Sequence, residues 1–151
     1  MASHDTAVAP DMSAIPPLIE WIERCCGDDG VDSGVTFKMM LAIEEALANV
    51  VAHAFVGVPP PHLIQLRLDI AADRCVAEIV DNGHPFDPSA APPPDLAIPL
   101  HQRDPGGLGI HLMRQMTDRV EYRRTDGHNR LRIETTRRGP SPIRDRPAPG
   151  R

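Results

Sequence analysis

No Cys-x-x-Cys pair occurs in this chain of 151 residues, and its three cysteines, Cys25, Cys26 and Cys75, have no zinc-ligand spacing. Their odd number also argues against the disulfide framework of a secreted domain. No apolar run is long enough to span a bilayer. The amino end lacks the basic region and apolar segment of a signal peptide. These absences point to a reduced, cytoplasmic protein without membrane contact. Positive charge is not in excess either: the formal net charge is -5 and the pI is near 5.7, which gives no support for direct binding to nucleic acid or an anionic membrane. No GxxxxGK[ST] sequence occurs, so there is no Walker A loop, and the βαβ setting of a dinucleotide fingerprint is missing. No internal repeat is visible.

What is present suits one domain with a real core. Hydrophobic residues make up 41% of the chain, an ordinary share for a globular protein. The 17 prolines gather at the amino end, between Pro85 and Pro105, and in the tail, where they mark loops. Residues 1–12 either fray or supply a short edge strand over 6–9, which Pro10 stops. Ser13 is a candidate cap for a first helix with Pro16 and Pro17 in its first turn. Gly27 to Gly30 ends that helix. Asp32 or Ser33 opens a central helix running to about Phe55, with Met40, Leu41, Leu47, Val50, Val51 and Ala54 as its apolar face. Two strands follow. Residues 62–71 alternate Ile64, Leu66, Leu68 and Ile70 with polar residues, and residues 75–80 carry Val76 and Ile79. Residues 84–106 read as a long lid-like loop. A short helix with Ile110, Leu112, Met113 and Met116 comes next. A hairpin over 120–124 and 131–135 turns at Asp126-Gly127. Residues 138–151, rich in Pro and Arg, read as a disordered tail. Helices and strands without strict alternation predict an α+β fold: a two-layer sandwich, one mixed or antiparallel sheet with helices on one face, spanning residues 13–137.

Three segments carry candidate chemistry. Glu45, Asn49 and His53 lie four apart on the central helix and form one polar stripe. Such a stripe is also what a solvated helix face looks like. Asp81-Asn82-Gly83 ends a strand. It is a common turn sequence, but a carboxylate only accepts hydrogen bonds, so Asp81 can take one from the amino group of a base. Gly106-Gly107-Leu108-Gly109-Ile110 opens a helix, where glycines let backbone N–H groups approach an anion; a plain turn has the same composition.

In this order, with a long loop between the second and third, these motifs resemble the GHKL (Bergerat-fold) ATP-binding domains. The likeness is closer to the stand-alone anti-sigma-factor serine/threonine kinases. Glu45 to Ala54 resembles the N box of that family. Asp81-Asn82-Gly83-His84-Pro85-Phe86-Asp87-Pro88 resembles the first glycine box with the Pro-Phe-Asp-Pro continuation of the anti-sigma branch, and Gly106 to Ile110 the second glycine box. The resemblance implies ATP and Mg2+ as cofactors. It implies Asn49 as the magnesium ligand and Glu45 as the base toward a serine or threonine hydroxyl. Asp81 is implied as the acceptor for the adenine amino group, with Gly83 admitting the base. Gly107, Leu108, Gly109 and Ile110 are implied at the phosphates, and Arg103 as a charge stabiliser at the γ-phosphate. His53 falls at a position usually occupied in that branch. The implied partners are a sigma factor or similar regulator, which the chain sequesters, and a STAS-type anti-sigma-factor antagonist, which it phosphorylates. A homodimer is implied as well. The rival readings are a non-catalytic, nucleotide-gated binding switch and a detached histidine-kinase catalytic domain acting in trans.

Overall fold

The computed structural model describes residues 1–87, 97 and 105–137. Strand β1 covers Ala2–Val8, helix α1 Ile15–Asp28 and helix α2 Ser33–Asn49. Strands β2 (Ile64–Ile70) and β3 (Arg74–Asp81) come next, then helix α3 (Pro105–Met116) and strands β4 (Arg119–Thr125) and β5 (His128–Thr136). The strands form one sheet in the order β1-β2-β3-β5-β4, and every neighbouring pair is antiparallel. The fold is thus α+β, and of the two expected sheet types it has the antiparallel one.

Alternation along β2 sets the face that the helices cover: Ile64, Leu66, Leu68 and Ile70 are buried while Gln65 and Arg67 are exposed. Register carries this face across the sheet. Leu68 stands opposite Ala77, Ala77 opposite Ile133, and Ile133 opposite Val120. Ile22 from α1 and Met39, Ile43 and Leu47 from α2 pack on it, all fully buried. Each such side chain contributes about 1.5–3 kcal/mol by leaving water. The other face of the sheet is polar and alternates in sign: Arg67 faces Glu78, Glu78 faces Arg132, and Arg132 faces Glu121.

Several local expectations need correction. β1 runs from Ala2 to Val8, because all seven residues pair with β2. Ser13 does not cap α1, whose N-cap is Ala14 without a side-chain hydrogen bond; a 3-10 turn over Met12–Ala14 leads into the helix and is capped by Asp11, whose side chain accepts from Ser13 N at 2.8 Å. Asp32 caps α2 by accepting from Gly34 N and Val35 N. The buried face of α2 is Val35, Thr36, Met39, Ala42, Ile43, Ala46 and Leu47; Met40 and Leu41 flank it, only half-buried. Ala42 and Ala46 are buried among the larger side chains, where their small size lets α2 approach the sheet closely. From Val50 to Ala54 the helix widens into a π turn. Helix α3 begins at Pro105, so residues 105 and 106 belong to it and not to the loop. The remainder of that loop beyond Asp87, apart from Ala97, and the tail 138–151 lie outside the described residues. The β4–β5 hairpin turns on Asp126 and Gly127 with φ of 53° and 74°, the two left-handed residues of a type I′ turn.

The two ends of the β3–β5 pair differ. At the closed end Cys75 faces Thr135. Here Arg137 Nη1 donates to Ala71 O at 2.7 Å and Nη2 to Gly30 O at 2.9 Å, tying the end of β5 to the end of α1 and to the β2–β3 turn. His4 Nε2 lies 2.6 Å from Asp29 Oδ2 and the ring sits edge-on to Trp21, which joins β1 to α1. At the open end Asp81 faces Asn129.

Candidate functional site

The open end is a cleft of about 460 Å³, counting its mouth, between α2, α3 and the sheet. Ala46, Asn49, Val50 and Ala54 line it from α2, Ile79 and Asp81 from β3, and Met113 from α3. Tyr122, Asn129 and Leu131 close it from the hairpin, and Phe86 stands at its side, 41% exposed. The walls are largely apolar, with a few convergent polar groups, the composition of a small-molecule site.

Asp81 is 4% exposed at the last position of β3. Its Oδ1 accepts from Gly83 N at 2.9 Å and from Asn129 Nδ2 at 2.9 Å. Its Oδ2 takes no hydrogen bond from the described residues. A buried carboxylate with one oxygen saturated and the other open is an acceptor aimed at a ligand donor. Asn129 is 4% exposed. Its Nδ2 also donates to His84 O at 2.6 Å, and its Oδ1 accepts from Tyr122 Oη at 2.6 Å and Arg124 Nη1 at 2.9 Å. The same Arg124 nitrogen donates to Gly83 O at 3.0 Å.

Gly83 is required here for a reason other than the one foreseen. A Cβ on it would overlap Ala54 O and stand 2.6 Å from Ala54 Cβ. His84 N donates to that same Ala54 oxygen at 2.7 Å, and the His84 ring nitrogen Nε2 meets Val56 O. The glycine lets the Asp81 turn seat on the π turn of α2; the space it frees is filled by protein backbone.

On the other flank Asn49 lines the cleft, and its side chain makes no hydrogen bond with the described residues. Glu45, one turn earlier, is half-buried and meets α3. A Cβ on Gly109 would overlap Glu45 Oε2 and lie 2.9 Å from Glu45 Cδ. The start of α3 therefore rests on the Glu45 carboxylate, with Gly107 and Leu108 in its opening turns. A helix leaves the N–H groups of its first turn without intrahelical partners, which suits an anion. Ile110 is buried, 6% exposed, in the core. His53 is exposed and is not among the residues lining the cleft. The π turn has more residues per turn than an α-helix, so position 53 rotates off the Glu45–Asn49 line. Arg103 lies outside the described residues.

A divalent cation would find no cage: among the described residues no group of three His, Cys, Asp or Glu side chains is placed to hold one. Asn49 and Glu45 remain, one turn apart. That fits Mg2+, which keeps several waters and takes its other ligands from one or two protein oxygens and from phosphates.

Comparison with known proteins places the chain in a family. The model of the histidine kinase-like ATPase domain matches residues 8–135. Serine/threonine-protein kinase BtrW of Bordetella bronchiseptica is 36% identical over 115 residues, 75% of this chain and 79% of that protein. Serine-protein kinase RsbW of Bacillus cereus is 30% identical over 96 residues, 59% of this chain and 57% of that one. The crystal structure of the RsbU and RsbW domains of Rv1364c from Mycobacterium tuberculosis superposes with a TM-score of 0.65 at 12% identity. It covers 92% of this chain and 34% of its own. A blue-light activated histidine kinase of Erythrobacter litoralis superposes with a TM-score of 0.52 at 18% identity, over 71% of this chain and 32% of its own. At these identities the solved structures show the fold alone.

Proposed function

This chain belongs to the histidine kinase-like ATPase domain family, and from that premise we propose that it is an ATP-dependent serine/threonine-protein kinase of the anti-sigma-factor type. It sequesters a sigma factor or similar regulator and phosphorylates a STAS-type antagonist, as a homodimer in the cytoplasm. The observation that carries the reading is Asp81: a buried carboxylate with one open oxygen, in a cleft that Asn49 lines from the opposite side.

The roles follow from position. Asp81 accepts from the adenine amino group, and Gly83 holds the Asp81 turn against α2. Asn49, with Glu45 one turn before it, is the side chain that would hold Mg2+. When bound, that ion neutralises phosphate charge. The opening turns of α3, Gly107 to Gly109, receive phosphate oxygens. Glu45, lying against Gly109, is where the reacting end of the nucleotide comes to rest, and it takes the proton of the attacking hydroxyl. The hydroxyl oxygen bonds to the γ-phosphorus as the bond to the ADP oxygen breaks. Arg103 remains a candidate charge stabiliser in this scheme.

Thermal unfolding tests the binding step. At ATP about 100 times its dissociation constant, with Mg2+, stability rises by about 2.7 kcal/mol, and a chelator removes part of the gain. Transfer of labelled γ-phosphate to a Ser/Thr antagonist tests the chemistry, with Glu45→Gln binding ATP but not transferring. An unchanged unfolding midpoint at millimolar ATP would overturn the reading. Undiminished transfer by Glu45→Gln would remove the base from it.

A further inference from the structure

The hydrogen bonds around Asn129 fix more than its position. Its amide oxygen receives two donors, Tyr122 Oη and Arg124 Nη1, and its amide nitrogen faces two acceptors, Asp81 Oδ1 and His84 O. Turning the amide over would set its NH₂ against a guanidinium and its oxygen against a carboxylate and a carbonyl. The network therefore admits one orientation. The amide dipole points from the Arg124 cation to the Asp81 anion and delivers an N–H to Oδ1. Gly83 N supplies the second donor to that oxygen, and Arg124 holds the Gly83 carbonyl as well.

We infer that Arg124 and Tyr122 are specificity-determining positioning residues: by locking Asn129 they saturate Asp81 Oδ1 and reserve Oδ2 as the acceptor for a purine 6-amino group. The inference rests on the adenine-nucleotide reading and assigns the cause of its base selectivity to two hairpin residues. Neither needs to touch the nucleotide base through its polar atoms. Without the lock, Asn129 is held only through its nitrogen, by Asp81 Oδ1 and His84 O, and the Asp81 carboxylate loses its fixed orientation with it. A purine carrying hydrogen at position 6 loses nothing by this, because it never used Oδ2. A 6-aminopurine loses its aligned partner. The signature is a change in discrimination and not in affinity as such.

The test compares ATP with purine riboside 5′-triphosphate, which has hydrogen in place of the 6-amino group, by calorimetric titration of the full chain with Mg2+. The wild type prefers ATP by at least about tenfold, since a site built to bond an amino group rejects the analogue lacking it. In Arg124→Met, which keeps the stem and removes the donors, ATP binding weakens about tenfold while the analogue changes less than about threefold. The preference then falls toward one. Arg124→Lys regains part of it through a single ammonium donor. Tyr122→Phe removes one hydroxyl, keeps the ring and gives an intermediate ratio, so the test survives if Arg124→Met fails to fold. Equal weakening of both nucleotides, with the ratio kept in Arg124→Met and Tyr122→Phe alike, overturns the positioning role. It leaves the nucleotide site standing. A wild type that binds neither nucleotide overturns the site reading itself and this inference with it.

Discussion

The inward face of the β3–β5 pair carries polar side chains at both ends, and the two ends treat them differently. At the closed end the Thr135 hydroxyl is buried without a hydrogen-bond partner among the described residues. Cys75 beside it and Cys26 of α1 are fully buried thiols, and burial pushes Cys26 up to about 11. At the open end the polar atoms of Asn129 are all used, and Asp81 keeps one oxygen in reserve. The closed end is a core that tolerates a little polarity. The open end is a network built around one acceptor left open to the cleft. Polarity inside a fold thus marks a site when its partners are arranged and one position is left over, more than when it is merely present.

That contrast can be broken from either side. The largest effect belongs to Ile70→Ala at the closed end. Removing this buried side chain, 3% exposed, lowers stability by about 2–5 kcal/mol in urea titrations and leaves the ATP-induced increment intact. Asp81→Asn should do the reverse. It keeps an Oδ1 for Gly83 and Asn129 but puts an NH₂ where the ligand amino group must donate. ATP affinity falls at least about 100-fold, equivalent to about 2.7 kcal/mol, while urea stability without nucleotide moves by about 1 kcal/mol or less. Gly109→Ala pushes the Glu45 carboxylate aside; phosphate transfer drops by about tenfold or more with a smaller change in ATP affinity, read by single-turnover assay. Thr135→Val removes the orphan hydroxyl and gains about 1 kcal/mol, sharpening the contrast between a core that tolerates polarity and a site that uses it. The subtlest check is alkaline. The raised Cys26 pKa favours the neutral thiol in the folded state, so its contribution is complete below the ordinary thiol value of 9.0 and is lost as pH rises to about 11. Stability measured across that window should fall less in Cys26→Ala.

Much of the scaffold could be read from the chain. The strict alternation Ile64, Leu66, Leu68, Ile70 specified β2 and its inward face. Asp126-Gly127 specified the hairpin, and the three motifs drew Asn49 and Asp81 toward one cleft. The face of α2 was harder. Ala42 and Ala46 count for little in apolar periodicity, yet they are buried because the helix sits close to the sheet. His53 was misleading because the four-residue spacing assumes an α-helix and the segment is a π turn. Asn129, Tyr122 and Arg124 were missed altogether. They come together through the β4–β5 register and its pairing with β3, a long-range relation that local spacing does not carry. One signal was available: Asn129 shares the inward parity of Leu131 and Ile133, so it is a polar residue on a core face at a strand end.

The closed end has one more consequence, and it concerns connection. Ala2 pairs with Ile70, and the Arg137 guanidinium bonds Ala71, so both described ends of the chain lie at the closed end of the sheet, with β2 and β3 between them. The eight residues of β3 put the cleft roughly 23 Å away at about 3.3 Å per residue. A reporter or a second domain joined directly at residue 2 or residue 137 is thereby leashed behind the site, clear of its mouth. A linker long enough to cross β2 and β3 between residues 137 and 2 is expected to close the chain into a ring.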